Sequence, residues 1–278
     1  MKEIFLAKIW LNNKESLIFT DGILYSPVED FFPMVKNFSD FLSLHTEELK
    51  IPLTNKIPDK IKYLDLIENQ HIFATGVTYE WSEEKLHATP DYDVYKNLYL
   101  SEQSMFFYKG NKHNLAENFS KIGIRENTKI TIPEAELVAV FNKYGEIIGY
   151  TLGNDVTALD LERENPLFQA MAKFYKGSVS MLPLIKLGGQ FPITNMFCEV
   201  FRDGKILVET SYNTNGFYRS PQKIIDQLMK SKLTENGGFL FLGCGTGYPT
   251  EFGLIPGDLV NIKSDLFPIN LQNTCIKI

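Results

Sequence analysis

Cysteine, histidine and clusters of basic residues are all scarce in this sequence. The 278 residues include three cysteines and four histidines, with no CxxC or HxxxH spacing among them. Such cysteines indicate neither a disulfide framework nor a zinc site and are typical of a reducing compartment. Lys and Arg number 28 against 34 Asp and Glu, which gives a net charge of −6 without a long basic run. The charge therefore argues against nucleic acid or an anionic membrane as a partner.

Long hydrophobic runs are absent too. The start, MKEIFLAKIWL, is interrupted by Glu3 and Lys8 and has no small-residue cleavage site, which is unlike a signal peptide. The best apolar runs, Leu137 to Phe141 and Phe239 to Leu242, are the size of strands. A membrane-spanning helix needs roughly 18 apolar residues. We therefore expect a cytoplasmic protein that does not cross a membrane.

Residues 1–65 are expected to form a small α+β domain. Short apolar runs flank the turn signal Asp21-Gly22. A helix is predicted from about Ser39 to Lys50, with Ser39 as its N-cap. Its inward-facing side chains would be Phe41, Leu42 and Leu49.

Residues 66–278 are expected to form a β-rich domain. Strand-like runs dominate from Ser104 onward, and the turn signals between them predict hairpins instead of a regular alternation of strands and helices. One late helix is predicted to start at Pro221 with Ser220 as its N-cap. Its buried side chains would be Ile224, Ile225, Leu228 and Met229. The predicted fold class is thus α+β.

The segment PEAELVAVF, from Pro133 to Phe141, carries the clearest chemical pattern. The period of two in a strand puts Glu134 and Glu136 on one face. A hairpin turn near residue 144 would bring Asp155 within a residue or two of Glu134. Three converging carboxylates repel one another unless a hard divalent cation such as Mg²⁺, Mn²⁺ or Ca²⁺ binds them. A solvated acidic strand face is the alternative interpretation.

The longer segment PEAELVAVFNKYGEIIGYTLGNDVTALDLERENPLFQAMAKFYKG resembles the core of the fumarylacetoacetate hydrolase family. That family has an E-x-E strand, a G-Y hairpin return, an N-D-V-[ST]-A-x-D sequence and a later Lys. The similarity continues upstream in ATGVTYEWS and SMFFYKG, and downstream in SYNTNGFYRS, FLGCGTGYPT and LIPGDLVNI, so that it covers roughly residues 70–278.

The resemblance implies a mixed β-roll catalytic domain, a homodimer, and Mg²⁺ or Mn²⁺ held by Glu134, Glu136 and Asp155. It also implies a small-molecule 2-oxo acid as substrate. Within the family, the segment DLERENPLFQAMAKFYKG is most similar to the corresponding sequence of the 2-keto-3-deoxy sugar-acid dehydratases. Family hydrolases carry a water-activating His and a Glu after the Tyr of G-x-x-Y, but Ser82 and Lys85 stand at those positions here.

Elimination from a 2-oxo acid needs a base that removes a C3 proton and an acid that helps the β-hydroxyl to leave. The segments that match the family supply the expected catalytic residues, with Lys173 as the first choice, followed by Glu80, Glu84 and Lys109. Substrate contacts are expected from Tyr79, Glu162 and Thr246. Asp155, Leu159 and Glu162 fall at i, i+4 and i+7, which would place them on one helical face.

Three positions depart from the family pattern. Met105 replaces an acid, Leu159 replaces an Arg and Leu182 replaces a Gly. These changes indicate a less polar substrate, a different 2-oxo acid reaction or a loss of catalysis.

The segment FLFLGCGTG also resembles the first motif of methyltransferases. Phe241 at the acidic position and Pro249 where a helix should follow exclude that interpretation.

The leading hypothesis is a metal-dependent lyase that dehydrates a 2-keto-3-deoxy sugar acid or a related 2-oxo acid. A hydrolase that cleaves a carbon–carbon bond in an acylpyruvate or β-diketone is the first alternative. A non-catalytic relative that binds a ligand is the second.

Overall fold

A computed structural model describes residues 3–45, 50–58, 60–79 and 92–278 of the chain. Five helices lie in these ranges: α1 (Phe38–Phe41), α2 (Tyr92–Leu100), α3 (Leu159–Glu164), α4 (Gln169–Lys173) and α5 (Pro221–Met229). The strands are β1 (Phe5–Leu11), β2 (Lys14–Thr20), β3 (Leu24–Pro27), β4 (Asn55–Lys56), β5 (Tyr63–Leu64), β6 (His71–Thr75), β7 (Phe106–Gly110), β8 (Leu115–Ala116), β9 (Lys121–Ile124), β10 (Thr131–Ile132), β11 (Ala135–Phe141), β12 (Ile147–Asp155), β13 (Thr157–Ala158), β14 (Val179–Met181), β15 (Leu184–Leu187), β16 (Asn195–Arg202), β17 (Lys205–Asn213), β18 (Gly238–Phe241), β19 (Leu259–Ser264) and β20 (Leu271–Lys277).

The described strands form two large sheets and one small one. A 13-stranded mixed sheet has the main order β4-β3-β2-β1-β15-β12-β11-β18-β6-β7, and a five-stranded sheet has the order β17-β16-β19-β20-β9. The remaining pair is β10 with β13. Strands far outnumber helices, so the mixed, mostly β architecture expected from the sequence is confirmed.

The large sheet is covered on both faces. On one face, side chains such as Leu137 and Leu152 share a hydrophobic cluster with Val260 and Ile262 of the five-stranded sheet. On the other face, Val138 and neighbouring side chains pack against the N-terminal segment. Every residue of the central strands β11 and β12 is buried as a result. Strands enclosed on both faces have nearly continuous apolar sequences, as ELVAVF does here.

The hairpin of β11 and β12 has the register that the sequence predicts. Ala135 pairs with Asn154 and Glu136 pairs with Gly153. One step further along the ladder, the backbone N–H of Asp155 donates to the carbonyl of Glu134 at 2.9 Å. The pairing therefore places Glu134 opposite Asp155 at one end of the large sheet.

The N-terminal strands are part of the same large sheet. Residues Phe5 to Ala7 of β1 pair with Leu184 to Lys186 of β15, so hydrogen bonding continues across the expected boundary between residues 65 and 66. The domain division stays a prediction.

The helix expected from Ser39 to Lys50 is wrong in its bounds. Helix α1 ends at Phe41, and its N-cap is Asn37, whose side chain accepts from the N–H of Asp40. Residues 46–49, with Leu49, lie outside the described residues.

The late helix is confirmed. Helix α5 begins at Pro221 with Ser220 as its N-cap, and Ile224, Ile225 and Leu228 are buried as expected, whereas Met229 is only half-buried. No helix follows β18 before β19 begins at Leu259, which agrees with the exclusion of a methyltransferase motif. Among the described residues, no helix is both long enough and apolar enough to span a membrane.

A prediction about packing follows from Gly153 in β12. A Cβ at this position would lie 2.2 Å from the Phe241 ring and 2.6 Å from Val138 Cγ2. We expect Gly153→Ala to lower the free energy of unfolding by about 1–3 kcal/mol, because the enclosed sheet cannot open to admit a methyl group. Urea denaturation measures this change.

Gly216→Ala is the matched control for this packing prediction. Its Cβ would meet only the Tyr79 ring, at an ordinary 3.7 Å, so we expect a change within about 0.5 kcal/mol. Equal unfolding midpoints for Gly153→Ala and the parent protein would contradict the packing described for β12.

Candidate metal and active site

Three carboxylates converge at the end of the large sheet. Glu134, Glu136 and Asp155 each offer an oxygen, and these atoms all lie within 4.8 Å of one another. Glu134 is half-buried, whereas Glu136 and Asp155 are almost fully enclosed. The convergence follows from strand period and hairpin register, so the grouping predicted from the sequence is present. Oxygen donors of this kind suit a hard divalent cation.

Lys173, at the end of α4, lies against two of these acids. Its ammonium group donates to Glu134 Oε2, to Asp155 Oδ2 at 3.1 Å and to Thr157 Oγ1 at 2.6 Å. Burial by itself would lower the pKa of Lys173, but Asp155, Glu134 and Glu162 outweigh that effect and hold the pKa well above its ordinary value. In this arrangement Lys173 is a fixed positive charge beside the carboxylates.

Lys109 reaches the same cluster from β7 and is fully buried. Its ammonium group lies 2.6 Å from Asp155 Oδ1 and donates to the carbonyls of Val156 at 3.2 Å and Lys173 at 2.5 Å. Burial lowers the pKa of Lys109, although Asp155 opposes this effect. All three donor positions of an ammonium group are thus matched by protein oxygens. Lys109 is placed to fix Asp155 and the chain around it.

Glu136 is enclosed by protein and lies beside two other acids. Burial raises its pKa well above the ordinary value, and repulsion from Asp155 and Glu134 adds to this effect. The backbone N–H of Gly243 donates to Glu136 Oε2 at 2.7 Å and partly offsets it. A buried carboxylate with so little compensation is expected to bind either a proton or a cation.

A fourth carboxylate, Glu162 on α3, interacts electrostatically with the cluster. Burial raises its pKa, while Lys173 acts in the opposite direction. Four carboxylates therefore face two lysines, which leaves a surplus of two negative charges when all six groups are ionised. A divalent cation would balance this surplus. The donor set and the charge both fit such an ion.

One prediction about this region is wrong. Asp155 does not share a helical face with Leu159 and Glu162, because Asp155 is the last residue of β12 and α3 begins only at Leu159. Glu162 is nevertheless near the carboxylates. The short strand β13 lies between Asp155 and α3, so the path from Asp155 to Glu162 is not a continuous helix and helical periodicity does not describe it.

The other expected site residues have different surroundings. Tyr79 is buried, and its ring makes edge contacts with Tyr212 and Phe217, each at a centroid distance of 5.3 Å. Thr246 is half-buried in the loop after β18, where its carbonyl accepts from Cys244 Sγ at 3.5 Å. Glu80 and Glu84, like Ser82 and Lys85, lie outside the described residues.

Sequence reasoning missed two groups that contact the carboxylates. The hydroxyl of Thr157 donates to Glu134 Oε2 at 2.7 Å and accepts from Lys173. Its position two residues after Asp155 in the sequence could have indicated that Thr157 lies near the carboxylates. The N–H of Gly243 is the other group, and a backbone donor leaves no trace in a pattern of side chains.

The three departures from the family pattern are in different environments. The sulfur of Met105 accepts from Gln169 Nε2 at 3.8 Å, and a Cβ on Gly76 would lie 2.9 Å from its methyl group. Leu159 is half-buried at the first position of α3. Leu182 belongs to the hydrophobic cluster between the two large sheets. Its replacement of a Gly is therefore a packing difference in the core.

Comparison with known proteins gives one family match and two informative relatives. The model of the fumarylacetoacetate (FAA) hydrolase C-terminal family matches residues 71–269. The chain is 28% identical over 204 residues to 2-dehydro-3-deoxy-D-arabinonate dehydratase of Saccharolobus solfataricus, covering 70% of this chain and 68% of that protein. It is 29% identical over 202 residues to a probable 2-keto-3-deoxyxylonate dehydratase of Haloferax volcanii, covering 70% and 69%.

Solved structures show the same fold. The apo form of 2-keto-3-deoxy-D-arabinonate dehydratase superposes with a TM-score of 0.83 at 21% identity, covering 99% of both chains. The same enzyme complexed with magnesium and 2,5-dioxopentanoate gives 0.82 at 21% identity and 99% coverage of both. A fumarylacetoacetate hydrolase from Exiguobacterium antarcticum gives 0.71 at 16% identity, covering 99% of this chain and all of that one.

A prediction about cation binding follows from the buried charge. We expect Mg²⁺ or Mn²⁺ to bind the parent protein, and Glu136→Gln to lower that affinity by more than about a hundredfold, since it removes an enclosed anionic oxygen. Calorimetric titration with Mn²⁺ measures this difference. Glu126→Gln, at an exposed position on the loop after β9, is the matched control.

The same pair of variants gives a second measurement on the metal-free proteins. Glu136→Gln should raise the thermal unfolding midpoint without added metal, because it removes an uncompensated buried charge, and added metal should stabilise only the parent and the control. Equal Mn²⁺ affinity in Glu136→Gln and Glu126→Gln would contradict the assignment of Glu136 as a ligand.

Proposed function

Because the chain belongs to the fumarylacetoacetate hydrolase family, we propose that it is a Mg²⁺- or Mn²⁺-dependent hydro-lyase acting on a 2-keto-3-deoxy sugar acid or a related 2-oxo acid. The observation that carries the proposal is the enclosed group of three carboxylates and two lysines at the end of the large sheet. Similarity to the two sugar-acid dehydratases over about two thirds of their length supports the same reaction class.

Glu134, Glu136 and Asp155 would hold the cation. When bound, a divalent cation polarises the C2 carbonyl of a 2-oxo acid and stabilises the negative charge that develops as the C3 proton leaves. The protein fixes the three oxygens in advance, through the β11–β12 ladder, the N–H of Gly243 and the hydroxyl of Thr157. Little rearrangement is then needed when the ion and substrate bind.

Lys173 would supply positive charge where the substrate becomes negative. Its raised pKa keeps it protonated over the physiological range. Its hydrogen bonds go to Glu134, Asp155 and Thr157, so it would act on the developing charge through its positive charge beside the carboxylates. Lys109 has the same charge but is enclosed by Asp155 and two carbonyls. Its role in catalysis would be to hold Asp155 in place. Substitution of Lys173 should therefore affect turnover by removing a positive charge, and substitution of Lys109 by releasing Asp155 from its position.

Glu162 is the proposed acid among the described residues, since it interacts electrostatically with the carboxylates and both lysines. Burial favours its protonated form, and a protonated carboxyl can donate a proton to a departing hydroxyl. The elimination then breaks the C3–H and C4–O bonds and releases water. Glu80 and Glu84 are retained as proposed proton carriers, and Tyr79 and Thr246 as proposed substrate contacts, on the strength of the family resemblance.

A prediction about the reaction follows. We expect dehydration of at least one 2-keto-3-deoxy sugar acid, little cleavage of acylpyruvates, and loss of activity when Mg²⁺ and Mn²⁺ are chelated. Lys173→Ala should lower turnover by about a hundredfold or more, because it removes the charge beside the developing anion. Chromatographic assays of both substrate classes, run in parallel, measure these outcomes.

Lys176→Ala is the matched control for the lysine variant. It lies three residues from Lys173 but is exposed, so its turnover should equal that of the parent. Efficient acylpyruvate cleavage without dehydration would favour the hydrolase alternative. Binding of a 2-oxo acid without turnover of either class would favour the non-catalytic alternative.

We also propose a homodimer formed through the β-rich domain, in the cytoplasm. Family membership supports the dimer, and exposed Ile206 and Leu207 lie on β17, an edge strand of that domain. Three cysteines without a disulfide are in keeping with a reducing compartment. We expect light scattering at micromolar concentration to give the mass of two 31.8 kDa chains. A stable monomer would contradict the dimer.

A further inference from the structure

The backbone of Val77 has an unusual conformation. Its φ angle is +55°, in the left-handed region, within the segment Gly76–Tyr79 that follows β6. A β-branched side chain is a genuine outlier there, since its Cβ approaches the backbone closely. Such strain persists only where the surrounding structure enforces it, and it is concentrated at functional sites. The contacts that hold Val77 in this conformation show which neighbouring groups depend on it.

Tyr218 holds the strained segment directly. Its hydroxyl donates to the carbonyl of Val77 at 2.9 Å, and its backbone N–H donates to the carbonyl of Thr78 at 3.1 Å. On the opposite side, Thr78 Oγ1 donates to the carbonyl of Leu242 at 2.5 Å. These contacts fix both peptide units that follow the outlier.

Tyr218 is in turn held by its neighbour Arg219. The Arg219 Nε donates to the Tyr218 hydroxyl at 2.8 Å, and Nη2 donates to the carbonyls of Leu98 and Tyr99 at 2.8 and 3.0 Å. These carbonyls belong to the last turn of α2, where a cation is favoured by the helix dipole. The Tyr218 ring also packs on Tyr99 at a centroid distance of 4.2 Å. The Tyr218 hydroxyl therefore has a fixed position.

The strained segment ends at Tyr79, whose hydroxyl is buried and meets no acceptor at full hydrogen-bond geometry in the part of the chain that the structure describes. The Tyr212 side chain is close enough to lower the pKa of Tyr79, but burial outweighs this effect and raises it. A buried hydroxyl without a well-placed acceptor is costly, so it needs an explanation. The ring of Tyr79 packs edge-on against Tyr212, which donates to the carbonyl of Ala135, between the ligand positions Glu134 and Glu136. Glu136 also acts electrostatically on the Tyr79 hydroxyl and raises its pKa, which places Tyr79 near the carboxylate cluster.

The same segment also contacts the loop that holds Glu136. A Cβ at Gly243 would lie 2.4 Å from Thr78 Oγ1, so only glycine fits against the segment. Gly243 is the residue whose N–H donates to Glu136. Strain at Val77, the buried Tyr79 hydroxyl and the support of Glu136 are therefore adjacent features of a single structural unit.

We propose that Tyr218 is a positioning residue: by holding Val77 in the left-handed conformation, it places the Tyr79 hydroxyl so that it donates a hydrogen bond to the anion bound beside Glu136. The anion has the chemistry of a 2-oxo acid or its enolate, so the inference rests on the function proposed above. The described residues offer the Tyr79 hydroxyl no acceptor at full hydrogen-bond geometry, and the bound anion would supply one.

A double-mutant cycle tests this coupling without depending on turnover. The probe is oxalate, a planar dianion that chelates through two oxygens as a 2-oxo acid does, titrated calorimetrically in saturating Mg²⁺. Tyr79→Phe should weaken oxalate binding about tenfold and Tyr218→Phe by a similar or smaller factor, as expected for one hydrogen bond. The double variant should bind no more weakly than Tyr79→Phe.

Tyr144→Phe, at an exposed position in the β11–β12 hairpin, is the control and should bind oxalate as the parent does. If the losses in Tyr79→Phe and Tyr218→Phe are additive, or if Tyr218→Phe has no effect, the inference is overturned. If the parent binds no oxalate with Mg²⁺ present, the proposed function fails, and the positioning role is decided by the next measurement.

The crystal structure of Tyr218→Phe provides that independent measurement. Phenylalanine keeps the ring packing on Tyr99 and loses only the hydroxyl. We expect Val77 to leave the left-handed region and the Tyr79 hydroxyl to be displaced. Unchanged positions of Val77 and Tyr79 would overturn the positioning role whatever the affinity for oxalate.

Discussion

The antiparallel pairing of β11 with β12 is the constraint on which the rest of the site depends. The ladder that begins with Ala135 opposite Asn154 leaves Glu134 and Asp155 facing each other, joined by a backbone hydrogen bond of 2.9 Å. A slip of one residue would send every side chain of one strand to the other face of the sheet. Both strands are enclosed by apolar packing on both faces, which makes such a slip very costly. The core therefore guarantees the geometry of the carboxylates.

Burial of these acids brings like charges together away from water, and the surrounding lysines neutralise them only in part. Lys173 and Lys109 come from separate elements, α4 and β7, and their ammonium groups converge on Asp155. Two positive charges still leave a surplus of negative charge when all the groups are ionised. Burial raises the pKa of Glu136, and repulsion from Asp155 and Glu134 adds to that effect. A site that is incompletely neutralised in this way favours binding of a divalent cation, which would balance the remaining negative charge.

The segment after β6 contains two features that are energetically unfavourable. Val77 adopts a conformation that a β-branched residue avoids, and Tyr79 buries a hydroxyl that meets no acceptor at full hydrogen-bond geometry among the described residues. Both features have a structural cost, and both are held in place by contacts with Tyr218 and Leu242. Their position beside the loop that supports Glu136 connects this cost with the carboxylate cluster.

The local sequence pattern was sufficient to predict those structural features that depend on residues close together in the chain. Strand period, turn residues and the Ser220-Pro221 start predicted the β11–β12 hairpin, its facing acids and helix α5. The limit of α1 at Phe41 and the path from Asp155 to Glu162 could not be predicted in this way, because tertiary packing overrides helical periodicity there.

The environment of the acids was decided by tertiary structure alone. No local pattern indicates that Lys109 and Lys173 enclose Asp155, that the N–H of Gly243 supports Glu136, or that Tyr218 fixes Val77. These contacts join residues far apart in the chain, and their strength depends on burial, which exists only once the sheets have packed. The sequence by itself determined which acids face one another. Folding determined their charge balance, because pKa values and hydrogen bonds depend on the surroundings that distant segments create.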